Sequence, residues 1–194
     1  MIGGHHEMTV EEFFGWCQKQ DKRYELLDGV PVPLRPMNGV STAHDRIASN
    51  IIGVVGGQLR GSPCWATTPD TALRTSIKRV RRPDVTIECA PPDLKSYESR
   101  NPIAAFEILS PTTQMTDKLV KLPEYMRHPK LRTIVIVVPE RRAVVVYSRD
   151  SEGQWDSDEF HDPAHLIDIA GTSAKISLAD IYDGVVDAPS SGPS

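Results

Sequence analysis

Ile103-Ala104-Ala105-Phe106-Glu107-Ile108-Leu109 is the stretch on which the reading of this chain turns. Its residues are apolar enough for a strand buried on both faces, yet one carboxylate stands inside it. Burying a charged group without a partner costs on the order of several kcal/mol, so Glu107 requires an ion pair, a proton or a metal. A salt bridge with Arg74 or Arg82 would be a purely structural solution, whereas a cation would make the strand end a site of chemistry.

Upstream, Arg81-Arg82-Pro83-Asp84-Val85-Thr86-Ile87 places an acid at the opening of a β-branched strand, directly after proline. Alone, such an aspartate reads as a turn cap. With Glu107 it forms a pair of carboxylates that adjacent strands could bring together. Mg²⁺ prefers one or two carboxylates completed by water and phosphate oxygens, so the pair is a candidate magnesium site. Glu25 could complete it from an earlier hairpin, or be an ordinary exposed strand glutamate. His44 caps a helix or touches phosphate, and the capping reading is the simpler one.

Around these strands the pattern is mixed. Thr9-Val10-Glu11-Glu12 fits a capping box that opens a short helix to about Gln20. Tyr24 to Leu27, the turn pair Asp28-Gly29, and Val30 to Val32 read as a hairpin, with Pro31 and Pro33 marking an edge. Ile47, Ile51, Val54, Val55 and Leu59 recur at helical spacing after a capping Ser41, so a long helix is expected over residues 41–59. Strands are expected at 64–68, 72–77, 84–89 and 103–109, a helical piece near 116–127, and two β-branched runs at 133–138 and 143–147. Weaker strands and a short helix at 178–182 close the chain. The fold class is therefore α/β, a mixed central sheet flanked by helices. Residues 1–8 read as a flexible leader, 9–186 as a single domain, and 187–194 as a disordered tail rich in Pro, Ser and Gly.

Charged residues make up 25% and hydrophobic ones 39%, ordinary for a globular protein, and no membrane span or signal peptide is visible. Cys17, Cys64 and Cys89 are odd in number and widely spaced, so neither a disulfide framework nor a zinc ribbon is indicated, and a cytoplasmic location fits. The net charge of −4 speaks against coating nucleic acid through bulk positive field. It is compatible with a metal-dependent nuclease whose phosphate contacts come from a local basic run, for which Lys78, Arg79, Arg81 and Arg82 are the candidates; a solvated turn is the bland alternative. Three further histidines, His128, His161 and His165, lack metal-ligand spacing, and Ser110 lacks the context of a nucleophilic serine.

An ordered set of short motifs then carries a resemblance. Tyr24 to Gly29, His44 with Ile47, Arg82-Pro83-Asp84-Val85, Glu107 to Thr113, Asp117, Lys121-Leu122 and Tyr125 together resemble the Uma-type restriction endonuclease family of the PD-(D/E)XK nuclease superfamily, over about residues 9–184. The resemblance implies a restriction-endonuclease-like fold and an Mg²⁺-dependent endonuclease, with Mn²⁺ as an alternative cation, that hydrolyses phosphodiester bonds of nucleic acid, DNA first. It implies Asp84, Glu107 and the carbonyl of Ile108 as metal ligands, and Asp84, Glu107, Lys121 and Glu25 as the catalytic set. The superfamily lysine normally lies two residues after the glutamate, where this chain has Leu109. The matching lysine is Lys121 on the following helix, with Lys118 as its rival. Catalysis needs an ammonium near the scissile phosphate and is indifferent to the backbone element that supplies it. A homodimer would suit cutting both strands of a duplex. The alternatives are a catalytically inactive nuclease-fold module that binds nucleic acid or a partner protein, and a metal hydrolase acting on another phosphate substrate.

Overall fold

The computed structural model describes residues 7–34, 41–109 and 120–185. The chain opens with α1 (Val10–Cys17), whose Thr9 and Glu12 form the expected capping box. It continues into a hairpin of β1 (Tyr24–Leu27) and β2 (Val30–Pro33). Asp28 and Gly29 turn the hairpin with φ of 50° and 84°, the left-handed conformation that an Asp-Gly pair supplies at little cost. The long helix α2 (Thr42–Gln58) starts on Ser41, whose side chain accepts from the His44 amide. Then follow β3 (Cys64–Thr67), β4 (Leu73–Ser76), β5 (Arg79–Arg81), β6 (Val85–Cys89) and β7 (Pro102–Ile108). After the short helix α3 (Leu122–Arg127) come β8 (Thr133–Val138), β9 (Ala143–Arg149), β10 (Trp155–Phe160), β11 (Leu166–Asp168), β12 (Lys175–Ser177) and α4 (Leu178–Ile181).

Two sheets organise these elements. The larger has the order β10-β9-β8-β7-β6-β3, with β7 and β8 parallel and every other pair antiparallel. The smaller has the order β2-β1-β5-β4, and β11 pairs with β12 alone. The α/β reading holds: a central mixed sheet lies between helices. Both inner strands, β7 and β8, are buried at every residue, as their apolar runs require.

Side-chain alternation splits the core into two layers. Ala104, Phe106 and Ile108 of β7 join Ile47, Ile51 and Val55 of α2 and Leu178 and Ile181 of α4 on one face. Ala105 and Leu109 point the other way, toward Tyr125 of α3 and Ile134 and Ile136 of β8. Glu107 shares the second face with them. A third cluster, Val10, Phe13, Leu26, Ala72 and Val80, seats α1 on the small sheet.

Of the helix expected near 116–127, residues 110–119, including Asp117 and Lys118, lie outside the described residues, as do 1–6, 35–40 and the tail from 186; α3 runs from Leu122 with Pro123 in its first turn and Lys121 at its cap. Of the leader, Glu7 pairs with Lys78 and the Met8 amide donates to the Gly29 carbonyl at 2.7 Å. The cysteines are not all unpaired. The register of β3 on β6 sets Cys64 opposite Cys89 and a disulfide joins them, leaving Cys17 as the free thiol. Strand pairing created a neighbour that spacing along the chain did not suggest.

Candidate active site

The site lies at the end of β7, where the parallel pair β7–β8 leaves the sheet and the crossover carrying α3 begins. In β6 and β7, Val85 pairs with Phe106 and Thr86 with Ala105. Continuing that antiparallel register by one residue sets Asp84 opposite Glu107, on the same face. Asp84 is held there by the Ile108 amide, which donates to its Oδ2 at 2.7 Å. Its Oδ1 lies 3.2 Å from His44 Nε2, at the start of α2. His44 is therefore more than a helix-start residue: its backbone is capped by Ser41 while its ring reaches the carboxylate.

Glu107 is buried, 3% exposed, and meets α3 rather than Arg74 or Arg82. Arg74 is taken by Glu98 and Glu11. Lys121 Nζ stands 3.4 and 3.3 Å from the two Glu107 oxygens, and the Tyr125 hydroxyl donates to Oε1. Lys121 and Tyr125 are four residues apart, so the start of α3 presents both toward one carboxylate. Burial, and next the Glu107 charge, push the Tyr125 hydroxyl well above its usual range, so it remains a donor.

Glu25 is buried too, 6% exposed, which corrects the view of it as a solvated strand residue. Its Oε1 lies 3.6 Å from Lys121 Nζ and accepts from the Arg82 amide at 3.2 Å. Its Oε2 accepts from Arg81 Nη1 at 2.9 Å. Lys121 thus bridges Glu107 of the large sheet and Glu25 of the small one. The sequence-derived set Asp84, Glu107, Ile108, Lys121 and Glu25 gathers in one place, with Lys118 outside the described residues.

Of the basic run, Lys78 lies on a solvated turn between β4 and β5, while Arg81 and Arg82 turn inward, a role that neither reading of the run gave them. Arg81 is 2% exposed and forks onto Glu124, Nε to Oε2 at 2.8 Å and Nη2 to Oε1 at 2.7 Å, while reaching Glu25. Arg79 pairs with Asp28 and Glu124, Lys78 with Glu7, and Arg82 donates to the carbonyls of Tyr24, Pro69 and Asp70. Burial opposes the Arg81 charge, but Glu124 and Glu25 outweigh it and raise its pKa above the ordinary arginine value. Arg81 and Arg82 are consumed inside the protein, whereas Lys78 is half-exposed on the turn before β5 and Arg79 is only partly covered. Sequence reasoning singled out neither Glu124 nor the inward role of Arg81. The signal available was the alternation Arg79-Val80-Arg81 beside Glu25-Leu26, which marks a polar sheet face without saying what covers it.

The donor set suits a hard cation. Asp84 and Glu107 supply two carboxylates on one face and the Ile108 carbonyl would be a third oxygen, leaving water and phosphate to complete an Mg²⁺ shell. Thr86 lies two residues along from Asp84 on the same face, and its buried hydroxyl has no hydrogen-bond partner among the described residues, as a group placed near bound water would. No cluster of three or more His, Cys, Asp or Glu side chains able to hold a metal by themselves occurs among the described residues. A magnesium site needs no such cluster, since two carboxylates with a carbonyl, water and phosphate oxygens suffice.

Known proteins share this architecture. The family model Uma2, described as "putative restriction endonuclease", matches residues 10–179. An uncharacterized protein of Synechocystis sp. is 26% identical over 151 residues, covering 77% of this chain and 78% of its own. The crystal structure of a "putative nuclease" of the DUF820 group from Anabaena variabilis superposes with a TM-score of 0.72 at 17% identity, covering 92% of this chain and 99% of that one. No described helix is long and apolar enough to cross a membrane.

Proposed function

The chain belongs to the Uma2 family, whose model is described as "putative restriction endonuclease", and on that footing we propose that it is an Mg²⁺-dependent endonuclease acting on nucleic acid, DNA first. The observation that carries this reading is the Lys121 ammonium 3.3 Å from Glu107 Oε2, beside a second carboxylate fixed by the next strand. Asp84, Glu107 and the Ile108 carbonyl would hold the metal, which when bound lowers the pKa of a coordinated water and offsets charge on the phosphate. Lys121 Nζ stabilises the negative charge that grows on the phosphate oxygens as the P–O bond breaks. Tyr125 holds Glu107 through Oε1, so that its other oxygen is presented in one orientation. Asp84 is oriented by the Ile108 amide, and His44 beside it would contact the phosphate backbone. Two copies would suit cleavage of both strands of a duplex.

A second reading is a nuclease-fold module without catalysis. It draws support from Glu107 being already engaged by Lys121 and Tyr125. Cleavage assays on DNA and RNA substrates with Mg²⁺ separate the two. Lys121→Ala is expected to lose about hundredfold or more in rate while keeping its fold and Mg²⁺ binding. Unchanged cleavage in Lys121→Ala with loss in Lys118→Ala would move the role to Lys118, and unchanged cleavage in both would remove lysine from the mechanism. A wild-type chain that binds nucleic acid without cutting any substrate would favour the second reading.

A further inference from the structure

We propose that Arg81 is a positioning residue for this site: its guanidinium locks α3 to the small sheet and thereby sets Lys121 and Tyr125 on Glu107. The role in catalysis rests on the nuclease reading above; the positioning itself does not. Among the described residues α3 is α-helical over six residues, Leu122–Arg127, with no side-chain cap hydrogen bond at Lys121. A stretch this short has little stability of its own, so tertiary contacts hold its orientation. On its Ala105-Leu109 side it has Tyr125 in the apolar layer. On the other side Glu124 is held by four donors: Arg81 Nε and Nη2, Arg79 Nη1 at 2.7 Å and Thr75 Oγ1 at 3.0 Å.

Among these donors Arg81 alone also grips Glu25, the second carboxylate beside Lys121. One rigid fork therefore fixes two things, the helix that carries Lys121 and the counter-charge beside it. A lysine at this position would keep one charge but could not make the paired bonds to Glu124 while bonding Glu25. The effect of Arg81 passes through Glu124, Glu25 and α3.

The test compares Arg81→Lys with wild type and with Arg23→Met, which removes an exposed pair with Asp70 far from α3 in the chain. Protein labelled with ¹³C at tyrosine Cζ reports the Tyr125 hydrogen bond to Glu107, and circular dichroism with a cooperative melt reports the fold. Arg81→Lys is expected to fold, to shift the Tyr125 resonance, and to lower kcat about ten- to hundredfold with KM for nucleic acid unchanged. Arg23→Met should leave both at the wild-type values. A wild-type Tyr125 resonance and unchanged kcat in Arg81→Lys would overturn the proposal, as would an equal loss in Arg23→Met. Should Arg81→Lys fail to fold, Glu124→Gln, which weakens the same fork from the helix side, is read in the same way. If the wild type cuts nothing, the resonance still decides the positioning and only the nuclease reading falls.

Discussion

The two sheets use opposite materials to solve the same problem of covering a buried face. The large sheet buries Ala, Val, Ile and Phe against α2 and α3, so its cohesion is apolar and non-directional. The small sheet has an apolar side, Leu26 and Val80 against α1, and a charged side where Glu25, Arg79 and Arg81 meet Glu124 of α3. Apolar contacts tolerate small slips. Forked ion pairs fix angles and distances, and the charged layer is the one beside Lys121. The large sheet is therefore chiefly a source of stability, and the charged layer a source of geometry.

Truncation in the large sheet should produce the largest loss of stability. Phe106→Ala is expected to cost about 3–5 kcal/mol in urea unfolding, from lost burial plus a cavity. Removing one member of the charged layer, as in Glu25→Ala, should approach that size because it strands buried cations, about 3–5 kcal/mol. The distinguishing variant replaces the whole triad: Glu25→Leu, Arg81→Met and Glu124→Leu together should leave stability within about 2 kcal/mol of wild type, since apolar packing often replaces buried ions without loss. Its cleavage activity should nevertheless be abolished. A triple variant as unstable as Phe106→Ala, or one that still cuts, would erase the distinction between the sheets.

How far the sequence revealed each sheet follows the same division. Unbroken β-branched runs marked β8 and β9, and the periodicity of Ile47, Ile51 and Val55 marked α2, because hydrophobic spacing reports burial directly. Glu107 stood out for the converse reason, a charge inside an apolar run. The small sheet's polar side was visible as alternation, but alternation looks the same whether water or α3 covers it, so Glu25 read equally as a site carboxylate or an exposed one, and the arginines as a phosphate patch or a solvated turn. The Cys64–Cys89 bond was hidden because only the β3–β6 register brings the two together.

That disulfide closes a loop between residues 25 apart and should stabilise the edge of the large sheet. Cys64→Ser with Cys89→Ser is expected to lower stability by about 2–4 kcal/mol, measured by urea unfolding. No change would mean the cross-link adds nothing to the apolar layer.

The smallest expected effect is on acid stability. Burial, and then Lys130, depress the His128 pKa to about 4 from its ordinary value of 6.5. The unfolded chain takes up that proton first, so this contribution is complete above pH 6.5 and is lost as pH falls from 6.5 toward about 4. Glu124 acts below pH 4.5: burial raises its pKa, but Arg81 overcomes this and leaves it below 4.5, so its contribution is lost as pH falls through that depressed value. His128→Asn should flatten the profile between pH 6.5 and 4.5 and leave the steeper acid limb, while Glu124→Gln should soften that limb alone. A His128→Asn profile identical to wild type across the upper window would contradict this assignment.

Asp84 and Glu107 are proposed to hold a divalent cation for phosphodiester hydrolysis. Mn²⁺ binding by calorimetry, paired with single-turnover cleavage of a labelled duplex for wild type, Asp84→Ala and Glu107→Gln, tests this. The wild type is expected to bind the cation, to stop cutting with chelator and to resume with Mg²⁺, and both properties should be lost in the two variants while their melts remain cooperative. Cleavage that survives in Asp84→Ala and Glu107→Gln, or Mn²⁺ binding unaffected by either substitution, would contradict it.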